Sequence, residues 1–347
     1  MPFIPQRLSL VRQTADSLRA GIVNGHWRDW LPGERELAAN LLVGRNTLRA
    51  ALRELSAAGL VKAIQGSGHR IVRVTEPTLP REKPRSIGLL IPDGLHALRP
   101  NQTLWIDQLR SLLIKRGLDL QLYHQHRFPR APYRHACWVL VLCNATLQRR
   151  FARDGIPCVI AGTPHPRVNL PSVDLDHRSL CRHAAGLLIS RGHRRIVFLT
   201  RHPIYAGDRE SEIGFTEGAR LSRHADVFAE IARHDDSRDG VSRTLQRLLR
   251  SPRPPTALLV GDSHHFLTVG SFLARAGNPN LALLCRDDDP FLSHLVPEPA
   301  RYTFSSASLA SNLLKLILQD NHAIVPPAIR LHPRLIQGES LLTLVPS

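Results

Sequence analysis

Arg45, Asn46, Thr47 and Arg49 lie within one turn of sequence and share one kind of chemistry, the reading of base-pair edges. Arginine pairs bidentately with guanine, asparagine with adenine, and threonine bonds a base or a phosphate. Arg53 continues the four-residue recurrence begun by Arg45 and Arg49. Across the same segment Leu48, Ala51, Leu52 and Leu55 recur at i, i+3, i+4 and i+7. That spacing predicts a helix with an apolar back and a basic front. A basic front on one isolated helix is most simply a solvated face, so the flanking sequence has to decide.

The flanks supply the elements that would position such a helix. Leu8 to Asn24 reads as a first helix, with Val11, Ala15, Leu18 and Ile22 on one face and Asn24-Gly25 as its stop. Trp27, Trp30 and Leu31 are packing residues. Pro32-Gly33 opens a short second helix through Leu41, and Val43 closes a tight turn into the arginine-bearing helix. Gly59 ends that helix. Residues 60–65 and 70–74 then read as strands around Gly66-Ser67-Gly68, whose glycines allow close approach to a phosphate backbone or minor groove. Helix, helix, turn, helix and hairpin make a winged helix-turn-helix over residues 1–74. Residues 75–85, with three prolines and five charges, read as a semi-rigid linker.

The rest of the chain, 86–347, alternates apolar runs with helical patterns. Strands are predicted at 86–92, 118–123, 137–143, 156–161, 195–200, 256–260 and 281–285. Helices are predicted at 102–116, 145–154, 177–191, 211–222, 240–250, 264–276 and 306–319. Continuous apolar strands separated by helices imply parallel sheets covered on both faces, an α/β class. Ligands bind such sheets beyond the carboxyl ends of the strands, and two lobes would enclose a cleft.

Composition sets outer limits. A chain of 347 residues suggests two or three domains, and 43% apolar residues can fill real cores. The charge of +17 favours polyanionic partners. Only +5 of it lies in residues 1–80, however, and the basic residues are forty-two arginines and four lysines, a bias that genome composition also produces. No run reaches the roughly 18 apolar residues of a membrane span, and no secretory signal is visible, so a cytoplasmic protein without membrane contact is expected. Five cysteines without a CxxC spacing read as buried free thiols. His193 reads as structural, and His124 and His126 as solvated. His264-His265 follows Asp262 at a strand end, so one of them would line the cleft, but a zinc site lacks identifiable further ligands. Asp287-Asp288-Asp289 reads as a turn rather than a cation site. No Gly-x-Ser-x-Gly, phosphate-loop or HExxH motif is present, so no metal, cofactor or catalytic residue is expected.

Over residues 8–74 the chain resembles the GntR family of bacterial transcription regulators. The phrases that carry the resemblance are Leu-Pro-Gly-Glu-Arg-Glu-Leu-Ala (31–38), Arg-Asn-Thr-Leu-Arg-Ala-Ala-Leu-Arg-Glu-Leu (45–55), Gly-Leu-Val (59–61) and Gln-Gly-Ser-Gly (65–68). The resemblance implies that Arg35, Arg45, Asn46, Thr47 and Arg49 meet DNA, with Gln65, Gly66 and Gly68 at the wing and Arg53 peripheral. Two positions depart from the family pattern. Leu42 stands where a turn glycine is usual, and Gly44 where a serine or threonine caps the recognition helix.

Residues 86–340 resemble the effector-binding domain of the LacI family, which is related to periplasmic sugar-binding proteins. The resemblance rests on the order of several phrases: Ile156-Pro157-Cys158-Val159-Ile160, Ser172-Val173-Asp174-Leu175-Asp176, Gly192-His193-Arg194-Arg195-Ile196, Gly214-Phe215, Pro255 to Asp262, Leu283 to Asp288, and Arg334 to Ser340. It implies a two-lobed, periplasmic-binding-protein-like domain with chain crossings near 172–174 and 287–289. It implies effector contacts at Asp93, Arg209, Asp262 and Asp287, with Asp174 and Asp288 as ligand residues or as caps at a crossover. For Arg209 the register is off by two, because Ser211 occupies the family's arginine position, three residues before Gly214. Segment 124–136, rich in proline, arginine and histidine, replaces an expected helix.

Together these resemblances imply a transcription regulator, a repressor by default. It would bind a near-palindromic DNA operator as a homodimer and respond to a small-molecule effector, a sugar or related polar metabolite. Phosphorylated or carboxylated ligands are also open, given the basic domain. The alternative is a winged helix fused to an aminotransferase-like enzyme, which needs a Schiff-base lysine. Outside the first domain only Lys83, Lys115 and Lys315 could serve.

Overall fold

The computed structural model describes residues 9–23, 27, 29–65, 68–72, 84–92, 98–128, 135–202, 205–277, 281–319 and 327–344. The chain forms two compact units, Met1–Lys83 and Pro84–Ser347. The expected linker lies outside the described residues up to position 83.

The first unit consists of α1 (Leu10–Val23), α2 (Glu34–Asn40), α3 (Arg45–Ala57) and the antiparallel hairpin β1 (Val61–Ile64) and β2 (Gly68–Ile71). Trp30 adds an antiparallel bridge to Arg70. The apolar back of α3, Leu48, Ala51, Leu52 and Leu55, is buried as its period predicts. It packs with Ala15 and Leu18 of α1, Leu37 of α2, and Val61 and Ile71 of the hairpin. Gly59, at φ 72°, takes the left-handed conformation that follows a helix end. Leu42, at φ 55°, takes the same conformation in the turn between α2 and α3, although it carries a side chain. This is the position where the sequence lacks the usual glycine.

The second unit has two lobes, each built on a six-stranded sheet. The first lobe holds β3 (Ser86–Ile91), β4 (Asp119–His124), β5 (Cys137–Val141), β6 (Cys158–Ala161), β7 (Ser172–Leu175) and β13 (Ala328–Leu331), in the order β13-β7-β6-β5-β3-β4. The second holds β8 (Arg195–Arg201), β9 (Phe228–His234), β10 (Ala257–Val260), β11 (Ala282–Cys285), β12 (Ala300–Thr303) and β14 (Arg334–Ile336), in the order β14-β12-β11-β10-β8-β9. All pairings are parallel except β12 with β14.

Helices cover both faces of each sheet, as continuous apolar strands require. In the first lobe α4 (Pro100–Ile114) and α10 (Ser306–Leu318) bury Trp105, Leu109, Leu113, Leu309 and Leu313 on one face. On the opposite face α5 (Ala145–Arg153) packs Phe151 near Trp138. In the second lobe α6 (His177–Ser190) and α7 (Ala206–Arg220) cover one face, and α8 (Arg238–Leu249) and α9 (Ser263–Ala276) the other. Gly214 and Gly218 of α7 lie so close to the α6 backbone at Arg178 and Arg182 that a Cβ would collide with it. All five cysteines are free and buried, and burial pushes the Cys137 thiol up to about 12.

The chain passes between the lobes after β7, again between β12 and α10, and again between β13 and β14. The expectation of a crossing near 287–289 is therefore corrected. That segment joins β11 to β12, which are neighbours in one sheet, and the second passage comes at 304–305. Triple-aspartate turns and crossovers look alike in sequence because both are polar breaks between apolar runs.

Candidate functional site

Two places gather the predicted residues. The first is the solvent face of α3. Arg45, Asn46 and Arg49 are exposed at its start, and Thr47 is half-buried beside them. Arg35 on α2 is exposed, as are Gln65 and Gly68 at the hairpin. Gly68 has φ 97°, which its missing side chain permits. Gly66 lies outside the described residues. Among the described residues neither Arg35 nor Arg45 pairs with a carboxylate. Arg49 differs: its Nε donates to Glu34 Oε2 at 2.8 Å, which ties α3 to the first residue of α2. Gly44 caps α3 with extended backbone and no side-chain bond.

The second place is a cavity of about 470 Å³ between the two lobes of the second unit. Its walls are the carboxyl ends of strands and the helix starts that follow them, as open α/β sheets dictate. Arg201 closes β8, Asp262 and Arg286 follow β10 and β11, and Asp174 lies in β7. From the first lobe, Arg99 at the N-cap of α4 forms ion pairs with Asp262 and Asp287 of the second lobe. Arg286 Nη1 reaches Asp208 Oδ1 at 2.7 Å and Ser211 Oγ at 3.1 Å, and its Nε reaches Asp287 Oδ1 at 3.1 Å. Arg201 pairs with Asp262 and, at 3.2 Å, with Asp236. Beside Arg99, the Asn101 backbone N–H donates to Asp289 Oδ1 at 2.8 Å and its side chain donates to the Asp288 carbonyl at 3.0 Å. These bonds hold the lobes together across the cavity.

Electrostatics follows from the pairing. Burial alone would raise the Asp262 carboxyl, but Arg99, the bond at His264, His265 and Arg201 outweigh it and hold it well below the usual carboxylate range. Burial acts on Asp287 in the same way, and Arg286 and Arg99 again lower it. Both acids are therefore ionised, and both are already partnered. Three other polar atoms are not: Asn101 Oδ1, His177 Nδ1 and His265 Nδ1 are buried without a hydrogen-bond partner, and all three residues line the cavity. His177 Nε2 faces Asp174 Oδ1 at 3.4 Å, and Thr163 bonds the same carboxylate.

Of the four residues expected to meet an effector, Asp262 and Asp287 line this cavity and Asp93 lies outside the described residues. Arg209 is exposed and does not line it. Its neighbour Asp208 lines it instead, because successive helix residues point about 100° apart. Asp174 lines the cavity, whereas Asp288 pairs with Arg301 at 2.7 Å. Arg201 and Arg286 were within reach of the strand-end rule, whereas Asp262 and Asp287 were expected from the family resemblance. Arg99 carries no such signal. Of the three lysines on which the enzyme alternative depended, Lys115 and Lys315 are exposed and Lys83 lies outside the described residues; among the described residues no lysine lines the cavity.

Comparison with known proteins agrees with this architecture. Residues 10–71 match the family model of bacterial regulatory proteins of the gntR family, and residues 185–341 match that of the periplasmic binding protein-like domain. An uncharacterized HTH-type transcriptional regulator of Rhizobium meliloti is 41% identical over 75 residues, covering 21% of this chain and 31% of that protein. The chain thus spans less than a third of the length of the curated relatives it matches. Among solved structures, a putative LacI transcriptional regulator from Bacillus cereus superposes with a TM-score of 0.65 at 19% identity, over 76% of this chain and all of the other. A LacI family regulator from Enterococcus faecium with bound ribose superposes with a TM-score of 0.62 at 15% identity, over 75% of this chain and all of the other. The first unit is a helix-turn-helix domain of the GntR family of bacterial regulatory proteins, and it is joined in one chain to a periplasmic-binding-protein-like domain with the two-lobed fold of LacI-type regulators.

Proposed function

We propose that this chain is a DNA-binding transcription regulator whose operator affinity is set by a neutral, hydroxyl-rich small molecule in the interlobe cavity. Arg45, Asn46, Thr47 and Arg49 read a major groove, and Arg35, Gln65, Gly66 and Gly68 hold the backbone and wing contacts. Two copies in a homodimer present two such helices to a near-palindromic site, and binding there represses transcription. Asp262 and Asp287, with Asp208 in the place expected for Arg209, line the effector pocket.

The observation that carries the effector class is a pair of unpartnered buried atoms, Asn101 Oδ1 and His177 Nδ1, in a cavity whose ions are already paired. A hydroxyl both donates and accepts, so it satisfies either atom. Five lining aspartates, at 174, 208, 236, 262 and 287, outnumber the arginines at 99, 201 and 286. Each of these arginines is already paired with a lining carboxylate, so an added anion would have to compete for its cation, which argues against the phosphorylated ligands that the whole-chain charge suggested. The ribose in the Enterococcus faecium regulator is of the favoured class. Because Arg99 links the lobes, a ligand that competes for or reinforces its carboxylates changes lobe closure, and that differential affinity drives the switch.

A thermal-denaturation screen of the full chain against pentoses, hexoses, their phosphates and nucleosides tests this. A neutral sugar at 100 times its Kd stabilises by about 2.7 kcal/mol. The same sugar then shifts affinity for DNA selected from a random duplex library. Stabilisation by sugar phosphates alone overturns the ligand class, and stabilisation without any change in DNA affinity overturns the regulatory reading.

A further inference from the structure

A second cluster borders the cavity; the effector reading counts its Asp236 among the lining aspartates but gives none of its members a ligand contact. His234 closes β9, Asp236 follows it in the loop to α8, and His265 is the third residue of α9. One nitrogen of each ring and a carboxylate oxygen of Asp236 lie within 4.8 Å of one another. The two histidines are 4% and 7% exposed, so neither is a surface residue that meets the others by chance.

The hydrogen bonding of this cluster is incomplete. His265 Nε2 lies 2.9 Å from Asp236 Oδ1, and the Asp236 backbone N–H donates to His234 Nδ1 at 3.2 Å. His234 Nε2 and His265 Nδ1 are both buried with no partner. The rings stand nearly perpendicular, 4.3 Å apart, an arrangement that bonds neither orphaned nitrogen. Asp236 is held at φ 63°, in the left-handed region, where residues at functional sites are often kept. Arg201 Nη1 bonds its other carboxylate oxygen at 3.2 Å, as outer partners do when they orient a ligating carboxylate.

We propose that His234, Asp236 and His265 bind one divalent transition-metal ion of the zinc type, with a fourth coordination position open toward the cavity. Two imidazoles and one carboxylate form a ligand set for such ions, and three protein ligands with one open position mark sites where a metal meets a small molecule. Bonds of about 2.0–2.1 Å in a tetrahedron place ligand atoms roughly 3.3 Å apart. The cluster therefore needs only side-chain rotation to close on an ion. Asp236 and His265 line the cavity, so the open position faces its contents.

The test uses the full chain, stripped with chelator and titrated calorimetrically with Zn2+ in the absence of any sugar, so its outcome is independent of the effector reading. One tight site per chain is expected, and Co2+ in its place should show the intense visible bands of four-coordinate cobalt. Asp236→Asn keeps a residue type that tolerates the left-handed backbone, so it tests the site without threatening the fold. It should weaken Zn2+ binding tenfold or more. His265→Ala should abolish the cobalt bands, and His294→Ala, at an exposed histidine elsewhere, should leave them unchanged. Absence of a tight site, or wild-type affinity in both Asp236→Asn and His265→Ala, overturns the proposal.

Discussion

Arginine serves opposite ends in the two units. On α3 the Arg49 side chain is 60% exposed, and Arg45 stands in solvent with no carboxylate partner among the described residues. In the cleft the Arg286 side chain is 5% exposed and is held by Asp208 and Asp287. Arg45 is spare charge, able to meet a polyanion at little desolvation cost, whereas Arg49 must exchange its bond to Glu34 for one to a polyanion. The buried ones are committed to internal carboxylates: Arg201 and Arg286 shape the cavity from within the second lobe, and Arg99 ties the lobes together. Net charge alone cannot separate these uses, which is why +17 says little about where a polyanion binds.

The largest expected break in this contrast is Arg286→Met. It leaves Asp208 and Asp287 short of a buried partner and should destabilise the second unit by about 3–5 kcal/mol in chemical denaturation. Replacing the two aspartates by leucine in the same variant should recover much of that loss, since an apolar cluster is as stable as a buried ionic one. Changes in the first unit should be far smaller. Leu42 is 92% exposed and left-handed, so Leu42→Gly removes backbone strain without removing packing. We expect a gain of about 0.5 kcal/mol, after the entropy cost of glycine, read as a higher denaturation midpoint. Gly44→Ser should add only a few tenths of a kcal/mol. A Cβ at Gly44 meets nothing within 4 Å, so the serine hydroxyl is free to cap α3. Any measured loss at either site would mean that the α2–α3 turn is not the relaxed element described above.

Much of this architecture is legible in the sequence because local periods match the final packing. Leu48, Ala51, Leu52 and Leu55 are buried as their spacing predicts. Of the strands read as apolar runs, β3, β5, β6, β8, β10 and β11 lie inside the sheets and β4 lies at an edge. Strands β9, β13 and β14 are absent from the sequence reading because they are edge strands with half-buried positions, and the interior strands β7 and β12 are absent because they are only four residues long and carry polar residues, Ser172 and Asp174 in one and Arg301 and Thr303 in the other. The cleft was partly legible. Asp262 and Asp287 were expected from the family resemblance, and they follow strand ends, where open sheets hold ligands. Arg99 was not legible, because its bond to Asp287 joins residues 188 positions apart and nothing in its own neighbourhood signals it. Arg209 was a one-residue error of helical phase. His265 was noticed beside Asp262, but its companions His234 and Asp236 come from the end of the unrecognised β9.

The contrast between free and committed arginines is tested most directly by Arg45→Ala in the full chain. Binding is measured by fluorescence anisotropy to duplex DNA selected by the wild-type protein, alongside thermal denaturation with and without the stabilising sugar. The account predicts that DNA affinity falls by at least about 1–3 kcal/mol, while the melting temperature and the sugar-induced shift match those of the wild type. Unchanged affinity in Arg45→Ala, with the fold intact, would contradict the assignment of α3 as the DNA-reading helix.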